Sequence, residues 1–183
     1  MVYIFLAEGF EEAEAIVPVD ILRRLGIPVV TVGVDCKNVT GSHNITVVAD
    51  TEISFADFSD ITAIILPGGM PGTLNLQKNE KLCALLKQCS EKGVIISALC
   101  AAPSILGGLG LLKGREYTCY PGFEKSIDGI HKNIPLVIDE GDNTLITAWG
   151  PGSAYRFGFA LAEKILGKDV SKLKKSMMMC GDE

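Results

Sequence analysis

The sequence predicts an α/β domain: a central, mostly parallel sheet covered by helices on both faces in three layers, with a small β-hairpin beside it. Two observations predict the layers. Short apolar runs such as VYIFL at residues 2–6 and TAIIL at residues 62–66 lack polar alternation, so both faces of each strand are expected to be buried. Stretches of helical periodicity separate these runs, and parallel strands need such crossovers. A third observation predicts the hairpin: residues 38–40 and 44–49 flank the turn Gly41-Ser42-His43.

The elements follow in order. After strand 2–6, residues 11–25 predict a helix with Ala13, Ile16, Val17, Ile21 and Leu25 near one face and Gly26 as its stop. Pro18 lies inside it and predicts a kink or a break, because proline has no N–H and its ring crowds the preceding turn. Residues 28–34 are a second buried strand. The hairpin comes next, and strand 62–66 ends in Pro67-Gly68-Gly69. Residues 80–92 form a helix closed by Gly93, 94–97 a strand, 101–109 a helix and 117–119 a short strand. Residues 136–138 and 145–148 pair across Glu140-Gly141-Asp142-Asn143, and 152–166 form a long amphipathic helix ended by Gly167. Residues 1–167 are expected to be one domain. Residues 168–183 are expected to be a C-terminal extension, a short helix plus a frayed tail holding Met177-Met178-Met179-Cys180.

A chain of 183 residues can bury a core without disulfide or metal staples. Its net charge of −5, with no basic run, argues against a nucleic-acid partner. The start, MVYIFLAEGFEEAEA, has no basic leader pattern, and no apolar run reaches the roughly 18 residues of a membrane span. A soluble, cytoplasmic protein with no membrane partner is expected. The six cysteines, at 36, 83, 89, 100, 119 and 180, show no CxxC and are expected to be reduced thiols. No His/Cys/Asp cluster has ligand spacing, Gly150-Pro-Gly152 lacks the third glycine of a dinucleotide loop, and GxxxxGK is absent. No metal and no cofactor are therefore expected.

In such sheets ligands bind beyond the carboxyl ends of the strands. Three places lie there: Ala7-Glu8-Gly9, Pro67-Gly68-Gly69 and Ala98-Leu99-Cys100. Cys100 sits between a strand and a helix in the pattern Ala98-x-Cys100-x-Ala102, which has the small-x-nucleophile-x-small form of a nucleophile elbow. A thiol facing a helix amino end should ionise more readily than a free cysteine. The plainer reading is a small buried core residue, as cysteines often are, and pattern alone does not choose between the two. Gly68 and Gly69 free backbone amides at the neighbouring strand end, and Gly69 with Ala101 could form an oxyanion hole, although a βα turn also explains the glycines. Glu11, Glu12 and Glu14 open the first helix, where the dipole favours carboxylates. Glu14 is a turn further in; facing Cys100, it would share one proton with the thiol. His43 and His131 are expected to be solvated loop histidines without carboxylate partners.

The stretches LAEGFEEAEAIVPVDILRRLG, IILPGGMPG, ISALCAAP, LLKGREYT and TAWGPGSAYRFGFALAEKILG, in this order, resemble the ThiJ/PfpI (DJ-1-like) superfamily along nearly the whole chain. The resemblance implies a flavodoxin-like sandwich and a homodimer. It implies that Cys100 is the reactive cysteine, readily oxidised to a sulfinate, that Glu14 hydrogen-bonds its sulfur, and that Gly69 and Ala101 supply nearby amides. The C-A-A-P form resembles the DJ-1-like branch. The protease branch has a histidine directly after the cysteine, where this chain has Ala101.

One position departs from the pattern: DJ-1-like members often place a histidine twenty residues beyond the cysteine, before a proline, and here Tyr120 precedes Pro121. A tyrosine with a pKa near 10 is a poor base at neutral pH. The function expected is that of a stress protein acting through Cys100 on a small aldehyde or a glycated substrate, by glyoxalase or deglycase chemistry, with Glu14 moving the proton and Tyr120 orienting the substrate. The alternative is a non-catalytic oxidation sensor or chaperone, and a protease or amidase is the least supported reading.

Overall fold

In the computed structural model, residues 1–179 are described. The elements in chain order are β1 (Val2–Leu6), α1 (Glu12–Arg24), β2 (Val29–Gly33), β3 (Asn38–Thr40), β4 (Thr46–Val48), β5 (Thr51–Glu52), β6 (Ala63–Leu66), α2 (Gly72–Lys78), α3 (Glu80–Glu91), β7 (Ile95–Leu99), α4 (Pro103–Gly108), β8 (Glu116–Tyr117), β9 (Ile130–His131), β10 (Leu136–Glu140), β11 (Thr144–Ala148), α5 (Ala154–Leu166) and α6 (Ser171–Ser176). Seven strands form one sheet in the order β10-β11-β7-β6-β1-β2-β5. All its pairings are parallel except that of β10 with β11. The strands β3 and β4 form the expected separate antiparallel hairpin.

Successive side chains of a strand point to opposite faces, and β1 shows the result. Tyr3 and Phe5 enter a core with Leu82, Leu86, Ile105 and Leu106. Val2, Ile4 and Leu6 enter another with Ile21, Leu22, Phe157 and Leu161. The first core lies under α3 and α4, the second under α1 and α5, so the unbroken apolar runs are explained by burial on both sides. Gly158 of α5 lets α1 approach closely: a Cβ there would stand 3.2 Å from the Cα of Pro18 and 2.7 Å from Ile21 Cδ1.

Several boundaries differ from expectation. Of the kink or break expected at Pro18, the break does not occur: α1 continues through it, because its buried face is held against α5 and the second core. α2 and the two-residue β5 were not expected: α2 (GTLNLQK) buries only Gly72, Thr73 and Leu76, too few for a periodic signal. β7 runs on to Leu99 because it pairs with β11 as far as Ala148, and α4 begins only at Pro103. The short strand foreseen at 117–119 is Glu116–Tyr117, paired with β9. The last long helix begins at Ala154 after a 3-10 turn, Pro151–Ser153, and ends at Gly167 in the left-handed conformation, φ 62°. Residues 171–176 are the short helix expected in the extension. The expected frayed tail falls partly on residues 180–183, outside the described residues. No helix among the described residues is long and apolar enough to cross a membrane, and the five described cysteines are free thiols.

Candidate active site

β7 delivers Cys100 to the carboxyl edge of the sheet. Its backbone is in the left-handed region, φ 58°, which a residue with a Cβ occupies at a cost of order 1–3 kcal/mol. Two hydrogen bonds hold it there. The Cys100 N–H donates to the carbonyl of Ala148 at the end of β11 (2.9 Å), and its carbonyl accepts from the Tyr120 N–H (2.8 Å). The chain then turns, Ala102 N–H donating to Leu99 O (2.9 Å), before α4 starts. This is the strained strand-to-helix turn that aims a nucleophile out of a sheet.

Glu14 projects from the first turn of α1 and is fully buried, 0% exposed. Its Oε2 accepts from the Gly68 N–H (2.7 Å), while the Gly68 carbonyl accepts from the Glu11 N–H (2.9 Å), so helix and glycine turn clasp each other. Pro18 has no N–H to offer the Glu14 carbonyl four residues earlier, so α1 is one hydrogen bond short at the site. The space at Gly68 is full: a Cβ there would lie 2.7 Å from Cys100 Cβ and 2.9 Å from Glu14 Oε2. Gly69 is at φ 88°, and a Cβ would reach within 2.3 Å of the Glu11 nitrogen, so only glycine fits.

Glu14 Oε1 has no conventional N–H or O–H donor; it faces the Cys100 sulfur. Burial raises the Glu14 carboxyl to about 7, against the opposing pull of the Gly68 amide and the Cys100 thiol. Burial also pushes the Cys100 thiol up to about 12, helped by the Glu14 carboxylate, while the amides of Ala101 and Gly69 favour the thiolate. This corrects the expectation of a readily ionised thiol. α4 is only six residues long and starts at Pro103, and burial beside an anion outweighs two amides. The two groups form a coupled pair, and near neutral pH the thiolate forms when the shared proton sits on Glu14.

Tyr120 is 49% exposed. Its ring borders the sulfur through Gly150: a Cβ on Gly150 would stand 3.4 Å from Tyr120 Cδ2, 3.7 Å from Glu14 Oε1 and 3.9 Å from Cys100 Sγ. Beyond Gly150 opens a cavity of about 590 Å³ whose walls include Tyr120, Pro135, Trp149 and Tyr155. Sequence reasoning passed over Trp149, and noted Gly150 only for lacking a dinucleotide fingerprint. Their position directly after β11, next to the strand carrying Cys100, was the available signal.

The histidines stand away from the sulfur. His131 packs against the Tyr117 ring, centroids 5.5 Å apart. His43 does have carboxylate partners, contrary to expectation: its Nδ1 lies 2.9 Å from Glu12 Oε2 and 3.7 Å from Glu11 Oε2. Sequence spacing hid this contact because the hairpin folds back across α1 over thirty-one residues. Burial pushes the Glu12 carboxyl up, but the His43 ring and the surrounding amides outweigh it and hold it below the usual range. Ligand atoms of Glu11, Glu12 and His43 lie within 4.8 Å of one another, a grouping the sequence spacing did not foretell. Glu12 Oε1 also accepts the His43 backbone N–H (2.8 Å), so the group fastens the hairpin to α1.

A cysteine on a strained turn at the edge of a doubly covered parallel sheet, with a buried carboxyl against its sulfur, defines an α/β protein of the nucleophile-elbow class. The sequence matches the DJ-1/PfpI family over residues 1–164, and the chain belongs to that family. It is 31% identical to Protein dj-1beta of Drosophila melanogaster over 178 residues, 96% of this chain and 95% of the fly protein. The structure of oxidized Toxoplasma gondii DJ-1 superposes with a TM-score of 0.92 at 32% identity, covering 98% of each chain. A deglycase of Thermococcus kodakarensis is 34% identical over 117 residues, 64% of this chain and 70% of that protein.

Proposed function

We propose that the protein is a cysteine-dependent, DJ-1-like stress protein that converts reactive α-oxoaldehydes to hydroxy acids. The observation that carries this reading is the buried Glu14 carboxyl set against the Cys100 sulfur on a strained turn. The Cys100 thiolate adds to the aldehyde carbon, forming a C–S bond as the carbonyl π bond opens, and Glu14 gives its proton to the oxygen. The amides of Gly69 and Ala101 face the sulfur and are the donors for that oxygen. The Glu14 carboxylate then takes the C1 proton to give an enediolate and returns it to C2, while the C1 hydroxyl proton passes to the C2 oxygen. A thioester results. Water, losing a proton to Glu14, hydrolyses it, releases the hydroxy acid and restores thiolate and acid. A carboxyl near 7 suits both directions of transfer. The deglycase relative supports carbonyl chemistry of this kind. A homodimer in the cytoplasm completes the proposal, and free cysteines suit that reducing compartment.

The test is lactate formation from methylglyoxal by the purified protein. Lactate from the wild type and none from Cys100→Ser is expected; equal rates from both would overturn the reading.

A second reading is favoured by Tyr120, which puts a phenol beside the sulfur where DJ-1-like members often carry a histidine. In it Cys100 is an oxidation sensor: the thiolate reduces one peroxide to water as it becomes a sulfenate, and a second as it becomes a sulfinate. Peptide mass spectrometry after mild peroxide decides this, with sulfinate expected at Cys100 ahead of the exposed Cys36. Equal oxidation of both would remove the sensor.

A further inference from the structure

We infer that the cavity beyond Gly150 holds a planar apolar ring carried by the substrate, so that arylglyoxals are preferred over methylglyoxal. This inference rests on the carbonyl chemistry proposed above and adds to it the substrate class.

The cavity meets the surroundings of the reacting atoms at Gly150, although neither Cys100 nor Glu14 lines it. Gly150 lines it, and the position a Cβ would take there is in ordinary van der Waals contact with Cys100 Sγ, Glu14 Oε1 and the Tyr120 ring at once. The absence of a side chain thus leaves a passage from the sulfur into the cavity. An α-oxoaldehyde attacked at its aldehyde carbon has its second substituent on the adjacent carbon, and the passage is where that substituent can go. The methyl of methylglyoxal leaves a cavity of about 590 Å³ almost unfilled; a phenyl ring enters it.

The walls match a ring. Trp149, Tyr155 and Tyr120 line it with aromatic side chains, and Pro121, Pro135 and Pro151 add rigid apolar surface. The position of Trp149 is fixed at its backbone: its N–H donates to the Pro135 carbonyl (3.1 Å), and the preceding residue, Ala148, accepts the Cys100 N–H. The aromatic wall and the nucleophile are therefore held by the same strand end.

The test compares kcat/KM for phenylglyoxal, which gives mandelate by addition of water, with that for methylglyoxal. A preference for phenylglyoxal of about tenfold or more is expected, the scale on which apolar pockets discriminate. Trp149→Ala should lower the ratio about tenfold, and Trp149→Phe should keep most of it. If Trp149→Ala does not fold, Tyr155→Ala on the exposed rim serves for the same ratio. Trp149 is the sole tryptophan, so its fluorescence reports the cavity without turnover. Mandelate should quench it at a concentration at least tenfold below that needed of lactate. Turnover of methylglyoxal at a rate equal to or above that of phenylglyoxal, or mandelate no more effective than lactate, overturns the ring site and leaves the carbonyl chemistry standing. Turnover of neither aldehyde overturns both.

Discussion

Glu14 accepts the Gly68 amide at 2.7 Å with one carboxylate oxygen, and its other oxygen, buried without a hydrogen-bond partner, stands beside the sulfur of Cys100. The pair therefore titrates as a unit, with a first step near 7 and a second toward 12. Alkylation of Cys100 by iodoacetamide, followed on its own peptide against pH, should rise in those two steps. In Glu14→Gln the near-neutral step should vanish, leaving a single step below the upper one because the carboxylate that raised it is gone. Identical profiles for the two proteins would mean that the groups do not communicate.

The same carboxyl sets a pH dependence of stability. Its folded value, about 7, lies above the ordinary 4.5, chiefly through burial. The folded state thus holds the proton more tightly than the unfolded one, and stability falls as pH rises from about 4.5 through about 7. Over that window the loss is of the order of 3 kcal/mol. Glu14→Gln keeps an acceptor for the Gly68 amide and cannot ionise. Thermal unfolding should show it gaining on the wild type between pH 5 and pH 8. A constant gap across that range would rule out a buried titrating carboxyl.

The left-handed backbone at Cys100 makes a separate prediction. Alanine at this position keeps the strain, and glycine relieves it. Cys100→Gly should be more stable than Cys100→Ala by about 1 kcal/mol, as read by urea denaturation. An alanine variant as stable as the glycine variant would show that the turn relaxes when the thiol is removed.

Tyr120 marks where base chemistry is weakest. Its backbone is tied to Cys100 and its ring borders the passage at Gly150. Tyr120→His introduces a group that titrates near 6.5 at that spot, and methylglyoxal turnover should increase about tenfold or more, with a new pH limb near that value. No change in rate would place all the proton transfer on Glu14.

The layered fold was legible because burial on both faces leaves an unmistakable mark on a strand, as in β1, and because Gly167 ends its helix in the left-handed conformation such a stop requires. α2 was invisible because only three of its residues face inward. Cys100 and Glu14 could be named from their motifs, but not the direction in which burial moves the thiol, since that depends on how much carboxylate and apolar surface surround it. The contact between His43 and Glu12 depends on how the hairpin lies over α1, which local pattern does not encode. Trp149 escaped notice for the opposite reason: what marks it is the cavity it lines.

The two hydrogen bonds at Cys100 also bear on how variants should be read. They are made by its backbone, one to the end of β11 and one to Tyr120, so residue 100 is the seam where three separate stretches of chain are sewn together. Its side chain can be exchanged without cutting a stitch. A serine or alanine there removes the sulfur and leaves the seam intact, whereas a substitution in any of the joined stretches can silence the thiol without touching it.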